Sequence, residues 1–199
     1  MRILTFAHGR RQFAGSVRGL EARKPRRWRS RAVPGVLACI VCVAIFANPA
    51  AADRLRNGIR AFAAHDYVTA ARIFTDLAPL GDARAQTYLG YMFAHGEGVP
   101  QNYMVAAGWY RCASQQRFPA AQYLLGLMYD KGQGVPQNYV FAYALLNRAV
   151  AGAGPEREHW ARIRDAVASK LSLIERLRGQ QLAFEGAPGD GCLPIVTGN

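Results

Sequence analysis

A segment of 31 residues occurs twice, the second copy following the first at an offset of 36 without a gap. Residues 85–115 read AQTYLGYMFAHGEGVPQNYMVAAGWYRCASQ, and residues 121–151 read AQYLLGLMYDKGQGVPQNYVFAYALLNRAVA; 14 of the 31 positions are identical. Self-similarity at such a period marks a stacked array, in which no unit buries its apolar face alone. Few other architectures keep this register.

Each copy parses as two helices. In the first, Ala85, Leu89, Met92 and Phe93 return as Ala121, Leu125, Met128 and Tyr129. Spacings of four, seven and eight fall on one helix face. Gly96-x-Gly98 and Gly132-x-Gly134 then end that helix, because glycine accepts the left-handed turn. Val99-Pro100 and Val135-Pro136 follow, and Asn102 and Asn138 are expected N-caps. The second helix sets Tyr103, Ala106, Ala107, Tyr110 and Ala113 on one face, where small alanines allow close approach.

A more divergent copy lies upstream. Asp66, Tyr67 and Ala70 match Asn102, Tyr103 and Ala106 at the same offset, and Gly58 stands closer to Tyr67 than Gly90 does to Tyr103, so a tighter hairpin is expected. Downstream, Gly154-Pro155 opens a helix to about Lys170, and Ser172-Leu173-Ile174-Glu175 is a capping box starting a last helix to about Phe184. Their charge density suggests a polar terminal cap, as a solenoid needs for solubility. The repeats are placed at about 53–80, 85–115 and 121–151, the cap at 155–184 and a loose tail at 185–199. No strand pattern is evident. One turn breaks the rule: Gly81 suits a left-handed position, but its counterpart is Arg117, where such a conformation costs on the order of 1 kcal/mol. A different turn is therefore expected between Gln115 and Pro119.

The net charge of +12 would suggest nucleic acid as a partner, were it evenly spread. Residues 1–52 hold ten basic groups and one acid, leaving 15 basic and 12 acidic residues from Asp53 onward, a net +3. The basic character thus belongs to a leader, and no nucleic acid partner is expected. Arg26, Arg27, Arg29 and Arg31 precede an uncharged run from Ala32 to Ala52, whose apolar part, Val36–Ala47, has the length of a signal h-region. Ala50-Ala51-Ala52 supplies small residues for cleavage after Ala52, which predicts a periplasmic or secreted protein. The alternative is an uncleaved anchor over residues 32–52, shortened by Pro34, Gly35 and Pro49. Cys39 and Cys42 leave with the leader; Cys112, at what is normally a surface position late in a repeat helix, and Cys192 remain as a candidate disulfide in an oxidising compartment. No paired cysteine or histidine spacing suggests a metal.

The motifs A-x-x-x-L-G-x-M-[FY], G-x-G-V-P-Q-N-Y and A-x-x-W-Y-x-x-A resemble the Sel-1-like repeat family, a branch of the tetratricopeptide-type solenoids. The resemblance covers residues 85–151 well and 55–84 more loosely. It implies an all-α fold, a right-handed superhelix of helix hairpins whose first helices line a concave surface. It also implies adaptor or regulatory work through protein contacts, and a partner protein or peptide in the cell envelope. Some cysteine-rich relatives are described as penicillin-binding or β-lactam-hydrolysing proteins, and that is the alternative function. Those carry a cysteine pair in each repeat, whereas here only Cys112 lies within the repeats.

Binding candidates follow from helical phase. With Ala85, Leu89 and Phe93 facing the core, Thr87, Tyr91 and His95 point away from it. In the second copy the same positions are Tyr123, Leu127 and Lys131, with Asp130 beside them. Exposed Tyr91, Tyr123 and Leu127 would form an amphipathic groove suited to a peptide. Neither a catalytic motif nor a phosphate-binding glycine loop is present, so no cofactor is expected and the chain reads as a non-enzyme.

Overall fold

The computed structural model describes residues 49–185, and within them every regular element is helical. Eight α-helices follow in order: α1 (Pro49–Ala63), α2 (Tyr67–Leu77), α3 (Ala83–His95), α4 (Tyr103–Gln115), α5 (Pro119–Lys131), α6 (Tyr139–Gly152), α7 (Arg157–Ala168) and α8 (Leu173–Glu185). A 3-10 turn, Ala78–Leu80, extends α2. Helices α1/α2, α3/α4 and α5/α6 pair as hairpins; α2 packs on α3, α4 on α5, and both α7 and α8 on α6. This is a helical repeat solenoid. Of the expected leader, residues 1–48 lie outside the described residues, as does the tail beyond Glu185; Pro49–Ala52 form the first turn of α1.

One contact repeats in all three hairpins. Phe74, Tyr110 and Leu146 are fully buried on the second helices. Each lies over a glycine of its first helix: a Cβ on Gly58 would stand 2.8 Å from the Phe74 ring, on Gly90 2.8 Å from the Tyr110 ring and on Gly126 3.1 Å from Leu146. Alanines Ala70, Ala106 and Ala142, also fully buried, let the backbones close around these knobs. Large side chain and glycine therefore interlock, which explains how Tyr110 and Leu146 can exchange between copies.

The G-x-G-V-P-Q-N-Y loop is held by its own side chains. Gln101 Nε2 donates to the Ala94 carbonyl and Gln137 Nε2 to that of Asp130, each at 2.8 Å. Asn102 Oδ1 accepts from the amides of Met104 and Val105, and Asn138 Oδ1 from that of Phe141, which are the expected caps. Successive units are joined by buried amides: Gln86 Nε2 donates to the Ala78 carbonyl (3.0 Å) and Gln122 Nε2 to that of Ser114 (3.3 Å). Satisfying these polar atoms inside the array fixes the stacking register.

Three expectations need correction. Arg117 does adopt the left-handed conformation, with φ 61°, as Gly81 does at 92°. The amides of Arg117 and Phe118 donate to the carbonyls of Ser114 and Ala113, which is the Schellman closure; it demands that backbone angle whatever the side chain. The terminal cap is not wholly polar. Ser172 and Glu175 do form the capping box, the Glu175 carboxylate accepting from the Ser172 amide at 2.8 Å. Yet α8 exposes Leu173, Ile174, Leu177 and Phe184, since its docking face is the small-residue side where Gly179 meets Tyr143. Cys112, read as a surface position, is only 3% exposed.

One side chain ties the cap to the last repeat electrostatically. Lys170 Nζ donates to Asp130 Oδ1 at 2.6 Å and lies 4.8 Å from the centre of the Tyr139 ring.

Candidate functional site

The two first helices start in different ways. Asp82 Oδ1 accepts from the amides of Arg84 and Ala85, starting α3, and Phe118 with Pro119 at the first turn starts α5. Tyr88, Tyr91 and His95 of α3 match Leu124, Leu127 and Lys131 of α5 at the repeat offset.

Two adjoining hollows open along this row. One, of about 290 Å³, is walled by Phe62, Tyr88, Tyr91, Phe118 and Leu124, with the exposed Arg84 also in its lining. The other, of about 320 Å³, is walled by His95, Tyr110, Leu124, Leu127 and Lys131. Leu124 belongs to both. The first is almost purely apolar, and the second mixes apolar walls with cationic and hydroxyl groups.

The aromatic wall is braced. Phe62 meets Tyr88 and Tyr91 edge-on at 5.1 and 5.6 Å, and Tyr88 stacks on Phe74 at 4.9 Å. Tyr91 stacks on His95 at 3.9 Å, and His95 Nδ1 lies 2.9 Å from the Tyr91 carbonyl oxygen. Contacts of this geometry fix the orientation of the rings. In the second hollow, the buried Tyr110 hydroxyl has no hydrogen-bond partner among the described residues, and burial pushes its pKa well up.

Of the residues named from sequence, Tyr91 lines the first hollow, and His95, Leu127 and Lys131 line the second. Thr87 also borders the first, but it is buried and its hydroxyl donates to the Ala83 carbonyl at 2.7 Å, so it offers no exposed polar group. Tyr123 and Asp130 stand apart from both hollows. Tyr123 stacks on Trp160 of α7 at 4.9 Å, its hydroxyl 3.4 Å from His159 Nε2, and Asp130 is engaged by Lys170. Helix α7 and the turn after it engage these two positions, which helical phase alone treats as open. Cys112 is disulfide-bonded, and Cys192 lies outside the described residues.

Sequence reasoning missed Phe62, Tyr88, Tyr110, Phe118 and Leu124. Tyr88 and Leu124 were within reach: each stands three residues before a named candidate, on the same stripe, and they match each other at the repeat offset. Phe62 and Phe118 come from other elements. No group of three or more potential metal-ligating residues occurs among the described residues.

The Sel1 repeat sequence model matches residues 83–118 and 119–152. Among solved structures, c5321, a protective antigen present in uropathogenic Escherichia coli strains and displaying an SLR fold, matches with a TM-score of 0.63 and 28% identity. The match covers 68% of this chain but only 29% of c5321. The Sel1 repeat protein from Oxalobacter formigenes matches with a TM-score of 0.50 and 30% identity, over 58% of this chain and 88% of that one. No curated protein matches.

Proposed function

Since the chain belongs to the Sel1 repeat family, we propose that it is an exported, non-enzymatic scaffold holding a partner protein or peptide along the first-helix row in the cell envelope. Sel1 repeats are helical scaffolds for protein–protein contacts. The observation that carries the proposal is the pair of hollows sharing Leu124. An extended segment could place one apolar side chain in each, with Leu124 between them. Rigid aromatic walls supply area at low entropic cost, the usual makings of an interface anchor. The uncharged run from Ala32 to Ala52 supports export, and an oxidising compartment accords with the Cys112 disulfide.

A photo-crosslinking residue at position 124 tests this in envelope preparations. We expect a defined adduct from position 124, lost on Tyr91→Asp, and none from position 68 on the exposed surface of α2. Equal adducts from both positions would remove the assignment. Turnover of a chromogenic β-lactam above a heat-treated control would replace the scaffold reading with the hydrolase one.

A further inference from the structure

A third hollow, of about 520 Å³, is lined by Arg117, Gln122, Arg148, Ala151, Phe184 and Glu185, among others. It shares no residue with the two hollows above and does not depend on the function proposed for them. Three features meet in it. Arg117 holds a left-handed backbone that glycine would hold without strain. Two guanidiniums line the same hollow, and neither has an ion pair among the described residues. Burial, then the charge of Arg117, lowers the pKa of Arg148. The acid in the lining, Glu185, forms no ion pair with either arginine; its Oε1 accepts from Gln181 Nε2 at 2.8 Å.

Like charges kept together, at backbone cost, are an arrangement completed by an anion. Guanidiniums bind carboxylates in a planar, bidentate fork. Ala151 and the exposed Phe184 flank the pair with apolar surface, suited to the carbon stem of an acidic side chain. We propose that Arg117 and Arg148 form a clasp for a carboxylate on an acidic peptide segment of a partner, a second binding point away from the first-helix row. The clasp contributes orientation and charge selectivity.

The test uses fluorescently labelled hexaglutamate and hexaglutamine with the full chain at low salt, read by anisotropy. Hexaglutamate should bind and hexaglutamine should not. Losing one charge-assisted contact should weaken binding by about tenfold in both Arg117→Gly and Arg148→Gln. Arg72→Gln, which removes an equal charge from the exposed face of α2, should change it far less. Arg117→Gly should also melt at a higher temperature than the parent, so its binding loss cannot come from a damaged fold. Hexaglutamate binding that survives both substitutions, or falls equally in Arg72→Gln, overturns the clasp. So does binding of inorganic phosphate, sensitive to both arginines, without any of hexaglutamate.

Discussion

Gly134 lies so close to the backbone of Tyr103 that a Cβ on it would overlap the Tyr103 carbonyl, and Gly98 stands in the same relation to Tyr67, one repeat earlier. The second glycine of each G-x-G turn is thus the point where a unit grips its predecessor. Gly134 also has a φ of 68°. Gly134→Ala should cost about 2–4 kcal/mol, adding backbone strain to a clash that no side-chain movement relieves. Gly81, with φ 92° and nothing near its would-be Cβ, should lose only about 1 kcal/mol as alanine. Urea denaturation of the two variants gives the comparison.

The cap of α2 is acid-sensitive where those of α4 and α6 are not. Asp66 accepts from the Thr69 amide, and hydrogen bonding to Thr69 lowers its pKa below the usual aspartate value. A group with a depressed folded-state pKa contributes stability above its unfolded pKa and loses it as pH falls through the folded one. Asn102 and Asn138 hold the equivalent position without titrating. Thermal melts between pH 7 and 2 should therefore show a stability loss below about pH 4 that is smaller in Asp66→Asn.

Removing Lys170 should loosen the cap without unfolding the array. Its ion pair with Asp130 is partly exposed, so Lys170→Met should cost no more than about 1 kcal/mol, and less as salt rises. The nearby α7 carries Trp160 over Tyr123, so tryptophan fluorescence should respond before the far-ultraviolet helix signal does. Simultaneous loss of both signals would mean that cap and array unfold as one.

The partner of Cys112 is expected to be Cys192. A peptide map of the purified chain without reductant should link the two. Cys192→Ser should lower stability by about 2–4 kcal/mol through loss of a long closed loop. Edman sequencing of the same sample should begin at Asp53.

The hairpins were readable because their determinants are local and recur: Gly96 and Gly132 close helices, Asn102 and Asn138 open them, and the offset aligns the copies. The site was less readable. Thr87 and Tyr88 are neighbours, yet one residue turns about 100° around a helix, which separates a hydroxyl bonded within its own helix from a ring on the hollow's wall. Tyr123 has the right phase but lies under α7, and Asp130 beside it is held by Lys170, tertiary facts no periodicity encodes. At Arg117 a propensity rule gave way to the hydrogen bonds of the Schellman closure.

Tyr67, Tyr103 and Tyr139 begin the three second helices in register, but their neighbours differ. The first two receive the glycine turn of the next unit, while Lys170 stands over the third. The cap therefore occupies the socket into which another repeat would plug. Duplicating a 36-residue unit upstream of Tyr139 lengthens the array with every joint already matched, whereas adding one after it requires the cap to be moved. Growth of this protein by duplication is an internal operation, and its terminal helices can stay unchanged through it.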